Sequence, residues 1–232
     1  MELSSFTTQI LRNFKAINPS LVVNEGNVIM TISESKSVVA RAVVDEVFPQ
    51  KFGIYDLGEF LSVVDLVANP QLLFKDSHVI VGDASGRSKV KYFFSDPSNL
   101  THPAKAMANP NMYSITDVAV SFTLDVGTFN NLKRAASALG HTEVAVTGTS
   151  NLITLSVLDK DNSTSNVYTI DVDGNSKSED FRFIINIANL RMIPADYRVD
   201  IAPNLISQFT STNLDKEIIY WVALEKSSTY KP

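Results

Sequence analysis

The sequence contains no cysteine. That excludes disulfide staples, thiolate metal centres and cysteine nucleophiles, and it is compatible with a reducing compartment. Histidine is scarce too. His78, His102 and His141 are scattered, with no pair at the i, i+4 spacing that would set two imidazoles on one helix face. Neither GxxxxGK[ST], GxSxG nor HExxH occurs. The glycines of GDASGR (82–87) precede no helical pattern, so a phosphate cradle is not expected there. DKDNSTSN (159–166) begins like a calcium loop but lacks Gly at its sixth place and Glu at its twelfth. The apolar runs FLSVVDLVA and EIIYWVAL are too short or too interrupted by charge to span a bilayer. MELSSFTTQI lacks the basic and apolar regions of a signal peptide. These absences predict a soluble, non-secreted protein with no membrane partner, catalytic residue, metal or cofactor.

What is present is enough for a packed core: 44% of the 232 residues are apolar. The length suits two domains of about 100–120 residues. Acidic residues outnumber basic ones 25 to 20, a net charge of −5. Such a protein does not coat nucleic acid with its whole surface, although a local basic face remains possible.

The stretch SSFTTQILRNFKAIN reads as a helix with Ser4 as N-cap, and Pro19 bars its continuation. Leu3, Phe6, Ile10, Phe14 and Ile17 recur at steps of three and four and share a face. Then the period becomes two. LVVNEGNVIMTIS reads as a hairpin turning at Asn24-Glu25-Gly26, followed by the strands SVVARAVVDEV and KFGIYD. A second helix, DLGEFLSVVDLV, buries Phe60, Val63, Val64 and Val67 and ends at Asn69-Pro70. QLLFK, HVIVGD and KVKYFF are strands. Residues 95–113, SDPSNLTHPAKAMANPNMY, break the pattern and read as a connector. The predicted domains are 1–110, with a linker at 95–110, and 111–232.

After the connector the scheme restarts. VAVSFTLD is a strand, and DVGTFNNLKRAASALG is a helix capped by Asp125 and closed by Gly140. EVAVTG, LITLSVLD and VYTIDVDG are strands at hairpin spacing. FRFIINIANLRMIP holds a short fourth helix ended by Pro194, and DYRVDIA, LISQFTS and EIIYWVALEK are the last strands. The fold class is α+β: two similar domains, each of two helix-plus-strands units. The pentapeptide DLGEF (56–60) recurs as DVGTF (125–129) because it opens a helix in both domains. Asp caps, Gly lets the first turn pack tightly, and Phe is the first buried anchor. Asp56 and Glu59 have capping-box spacing. Both aspartates read as caps, not as catalytic acids.

Basic residues are thin on the predicted strands. Arg12 and Lys15 fall on the outward face of the first helix, Arg134 on that of the third with Lys133 at its flank, and Arg191 lies in the fourth. A helix packed on a sheet has one free face. If the helices share one side of the sheets, their free faces form the basic side of an acidic protein.

The stretches NFKAIN (13–18), IYDLGEFLSVVDLV (54–67), FIINIANLRMIPADY (183–197) and WVALE (221–225) resemble the DNA polymerase sliding clamp of T-even-type bacteriophages. The resemblance runs from the first helix to the last strand. It implies the DNA-clamp fold, with helices on one side of antiparallel sheets, in a homotrimeric ring. It implies a non-enzymatic processivity factor: duplex DNA held without sequence preference, the viral DNA polymerase tethered, loading by an ATP-driven clamp loader, and late-transcription factors as further partners, all in the host bacterial cytoplasm. It places Arg12, Arg134 and Arg191 on hole-lining helices; Lys15 and Lys133 are placed by helix periodicity alone. It also implies an apolar pocket for partner peptides, which Met107, Met112 and Tyr113 are positioned to border. The second helix departs from the expected basic lining: it carries Glu59 and Asp65 and no cation. The alternative of another class is a β-rich structural protein of a viral tail or baseplate.

Overall fold

Ser4 starts the first helix as its sequence predicts. In the computed structural model, which describes residues 1–103, 115–149 and 152–232, its hydroxyl accepts from the N–H of Thr7 at 3.1 Å. Helix α1 spans Ser5–Ile17. A second cap comes from outside: the Glu46 carboxylate accepts from the Ser4 N–H and the Thr7 hydroxyl. Ile10, Leu11, Phe14 and Ile17 are buried, the stripe that the periodicity predicts, shifted by one column where Leu11 joins it.

The chain divides into two compact units, Met1–Ala108 and Asn109–Pro232. In the first, α1 is followed by β1 (Leu21–Val23), β2 (Gly26–Ile32), β3 (Val38–Phe48) and β4 (Phe52–Ile54). Then come α2 (Leu57–Leu66), β5 (Gln71–Phe74), β6 (His78–Gly82), β7 (Lys89–Phe93) and a 3-10 turn at Pro97–Asn99. The predicted hairpin of β1 with β2 is not the pairing found. β1 pairs antiparallel with β4, Leu21 opposite Ile54, and β2 pairs with β3. Strands β5, β6 and β7 make an antiparallel meander. Phe48, Phe52, Phe74 and Phe94 pack ring to ring with centroids 4.7–6.3 Å apart, a contact geometry worth more than the area it buries.

The second unit runs β8 (Val120–Leu124), α3 (Val126–Leu139), β9 (Glu143–Gly148), β10 (Leu152–Leu158), β11 (Tyr168–Ser176) and β12 (Phe181–Asn186). A 3-10 turn at Ile187–Asn189 leads to β13 (Tyr197–Ala202), β14 (Ile206–Ser211), β15 (Ile218–Ala223) and β16 (Thr229–Tyr230). Within the unit these strands lie in the order β16-β12-β9-β10-β11-β8-β13-β14-β15, every neighbour antiparallel. α3 packs on β10 and β11. Gly140 ends it in the left-handed conformation, φ 71°, as its place after the apolar run predicts.

The fourth predicted helix is a correction. FRFIIN is a strand, and only Ile187–Asn189 turns helically, as one 3-10 turn. The apolar density that suggests a helix has another cause: Phe183, Ile184 and Ile185 are all buried, so β12 is covered on both faces and its period of two is hidden. The segment after the turn is tied down by two tyrosines. Tyr197 donates from its hydroxyl to the Ile193 carbonyl, and the Ile193 N–H donates to the Tyr220 hydroxyl.

Candidate nucleic-acid interface

The repeated pentapeptide opens α2 and α3. Asp56 accepts from the N–H groups of Gly58 and Glu59, and Asp125 from the N–H and the hydroxyl of Thr128. These bonds hold the Asp125 carboxyl below its ordinary pKa, the Thr128 hydroxyl being the largest cause. The glycine leaves room for the cap: a Cβ on Gly58 would stand 3.0 Å from Asp56 Oδ1, and one on Gly127 3.0 Å from Asp125 Oδ1. Phe60 and Phe129 are buried anchors. Sequence reasoning missed a further carboxylate. Asp196, in the MIPADY stretch, accepts from the Val126 N–H at 2.8 Å, so two aspartates serve the N-terminus of α3.

Arg12 and Lys15 are brought together on the exposed side of α1, facing α2. Arg12 is not free. One guanidinium nitrogen lies 2.8 and 2.7 Å from the two oxygens of Asp65 on α2, with the side chains 53% and 50% exposed. Lys15 reaches over the first turn of α2; a Cβ on Gly58 would meet its Cε at 3.0 Å. With Ala16, Leu61 and Ser62 these residues line a groove of about 350 Å³. The helical surface of the first unit therefore sets its two cations against Asp65 and the acidic start of α2. Sequence periodicity puts Arg12 and Asp65 on outward faces; it carries no sign that they touch.

In the second unit Lys133 and Arg134 are exposed neighbours on α3. The Lys133 ammonium lies 5.2 Å from the centroid of the Phe129 ring, a contact that leaves its charge available. Arg134 makes no ion pair among the described residues. Arg191 is exposed, but it follows the 3-10 turn and stands on no α-helix, contrary to expectation; its Nε donates to the Ala188 carbonyl at 2.9 Å. Lys133 and Ile187 line one shallow groove with Ala136, Ser137, Gly140 and His141, which brings the end of α3 next to the 3-10 turn. Met107, Met112 and Tyr113 lie outside the described residues. Among those described, no group of three or more His, Asp or Glu could hold a metal, and no helix is long and apolar enough to cross a membrane. Among the described strands, β3, β12 and β13 each carry one arginine, Arg41, Arg182 and Arg198, and β7 carries two cations, Lys89 and Lys91.

The family model for the DNA polymerase processivity factor matches residues 4–81, and that for the gp45 sliding clamp, C terminal, matches residues 121–226. The sliding clamp of Vibrio phage KVP40 is 31% identical over 228 residues, covering 97% of this chain and 99% of that protein. This chain belongs to the sliding-clamp family. The sliding clamp of Enterobacteria phage T4 is 27% identical over 236 residues, 99% of each protein. The clamp fold extends to far more distant structures. Proliferating cellular nuclear antigen from Entamoeba histolytica superposes with a TM-score of 0.68 at 13% identity over 94% of each chain. That of A. fulgidus, solved with the C-terminal region of FEN-1, gives 0.71 at 12% over 98% of each. The α+β clamp fold thus holds across the chain, and the family is one of processivity factors, not of enzymes. A tail or baseplate role is set aside by the same matches.

Proposed function

We propose that three copies close into a ring around duplex DNA inside the infected host cell's cytoplasm and tether the viral replicative polymerase. An ATP-driven loader places the ring, and late-transcription factors use it in turn. Family membership along the chain supports the tethering role. The distribution of charge supports a topological hold. The chain is net acidic, the exposed cations near the helices are Arg12, Lys15, Lys133, Arg134 and Arg191, and Arg12 is already paired. Strong non-specific DNA binders neutralise many phosphates; this surface offers few, and no described element reads base edges. Met107, Met112 and Tyr113 are proposed to border the partner-peptide pocket, since methionine surfaces adapt to varied ligands. Met107→Glu with Met112→Glu should then abolish polymerase stimulation while leaving loading intact.

The deciding experiment compares retention on nicked circular and linearised DNA after loading. The clamp should stay on the circle and run off the linear molecule. Equal retention on both would overturn the topological hold.

A further inference from the structure

The β5-β6-β7 meander buries Leu72, Val79 and Val81 on one face. The composition of the other face follows from the pairing register. Leu73 stands opposite Ile80, and Ile80 opposite Lys91. One row on, His78 stands opposite Phe93, and the alternation of β5 sets Lys75 on the same side. Leu73 is 54% exposed and Phe93 62%; Lys75, Lys89 and Lys91 are exposed as well. The remaining strand positions of this face are Gln71 and Gly82, so none of them carries a carboxylate. Glu2 borders the face at the corner diagonal to Phe93, where it accepts from Gln71 at 3.1 Å, and Asp76 stands in the turn after Lys75. In a chain with more acids than bases, this face reverses the sign of charge and exposes apolar side chains together.

These groups form a strip with cations on either side. The Lys91 ammonium lies 5.0 Å from the Phe93 ring centroid, and the His78 ring 5.5 Å from it. The His78 pKa is held below its ordinary value, by desolvation first and then by Lys91 and Lys75. The imidazole is therefore neutral at pH 7 and extends the apolar strip of Leu73, Ile80 and Phe93. Lys75 flanks that strip from β5, Lys89 and Lys91 from β7. The two sides are two strand spacings, about 10 Å, apart.

We propose that this face docks an extended segment of a partner protein in which two carboxylates flank an apolar or aromatic side chain. In an extended chain, residues four apart point to the same side about 14 Å from each other, with one further side chain between them. The flexible lysine stems take up the difference from the width of the strip. The carboxylates then meet Lys75 on one side and Lys89 or Lys91 on the other, and the central side chain covers Leu73, Ile80 and Phe93. A phosphate backbone would use the lysines and leave those apolar groups in water, so the chemistry favours a peptide over duplex DNA. The face shares no residue with the partner-peptide pocket proposed above and depends on neither the ring nor the hold on DNA.

The test is fluorescence anisotropy of a labelled peptide, Ser-Glu-Ser-Phe-Ser-Glu-Ser, titrated with the full chain. Circular dichroism and native mass are recorded for every variant. The peptide should bind saturably, and its counterparts with Gln for Glu or Ser for Phe should bind more weakly. Lys75→Glu with Lys91→Glu should weaken binding by on the order of tenfold or more, two ion pairs having turned repulsive. Leu73→Ser with Phe93→Ser should weaken it by on the order of tenfold through lost apolar cover. Met107→Glu with Met112→Glu should leave it unchanged. The proposal is overturned if the peptide does not bind, if the Gln or Ser peptides bind as tightly, or if either folded face variant binds like the wild type. Loss of binding in the methionine variant overturns it too, since the peptide then sits in the other pocket. So does displacement of the peptide by a linear duplex or by phosphatidylglycerol vesicles, which gives the face to phosphate. A folded lysine variant of lower native mass makes the face a contact between copies and also overturns it. The clamp assignment stands under each of these results.

Discussion

If Arg12 faces DNA, as proposed above, Asp65 competes with phosphate for it. Its two oxygens occupy the Arg12 nitrogen that would otherwise reach outward, and a carboxylate offers arginine the same geometry as a phosphate. Asp65→Asn removes the charge and keeps the shape. Both partners are half exposed, so the lost ion pair should cost less than about 1 kcal/mol of stability. The effect on DNA binding shows in its salt dependence. Each additional phosphate contact steepens the fall of log affinity with log salt by about 0.9. Three copies of the released arginine would add about 2.7 to the slope, which between 50 and 200 mM salt makes the loss of affinity roughly 40-fold steeper. The assay is equilibrium binding of unloaded protein to a linear duplex across a salt series. Four proteins are compared: wild type, Asp65→Asn, Arg12→Gln and the double variant. Asp65→Asn should bind more tightly at low salt with the steeper slope, and the double variant should return to wild-type behaviour. Arg12→Gln alone should change little, whereas Arg134→Gln should reduce the slope. If Arg12→Gln is as damaging as Arg134→Gln, or if Asp65→Asn leaves the slope unchanged, the pair is no competitor and the reasoning fails.

Two further predictions concern the second unit. Asp125→Ala should cost about 1 kcal/mol by leaving the first turn of α3 uncapped. Because bonds from Thr128 depress the Asp125 pKa, its contribution is complete above the unfolded carboxyl pKa of about 3.9 and disappears as pH falls through the lower folded value. Asp125→Asn, also a good cap, should keep neutral stability and lose this acid dependence in urea titrations at pH 7 and pH 3. Gly174→Ala would set a Cβ 2.6 Å from Phe122 Cβ and 2.7 Å from both Ile153 Cγ1 and the Ser121 carbonyl oxygen. Repulsion of that kind should destabilise by about 1–3 kcal/mol, read as a lower thermal midpoint.

What is legible in the sequence is local. Ser4, Asp56 and Asp125 announce their helices because a cap bonds an amide two or three residues away, and Gly140 closes α3 for an equally local steric reason. Long-range pairings are not legible. Nothing in Leu21–Val23 distinguishes β2, its neighbour in sequence, from β4 as a partner. The Arg12–Asp65 pair joins residues 53 apart, and each alone reads as an ordinary solvated charge. β12 reads as the approach to a helix because burial on both faces erases its alternation, and that misreading carries Arg191 onto a helix that is a single turn.

The bond from Val126 to Asp196 spans 70 residues, and the paired backbone groups of Met1 and Leu72 span 71. Each unit is thus tied at its start by a residue made much later. At about 5–20 residues per second of synthesis, 70 residues take roughly 4–14 s. For that interval α3 leaves the ribosome with Asp125 in hand and Asp196 not yet made. Its first amide stays with water until the chain beyond the 3-10 turn returns to meet it, and the nascent unit has that long to be captured by a chaperone before it closes.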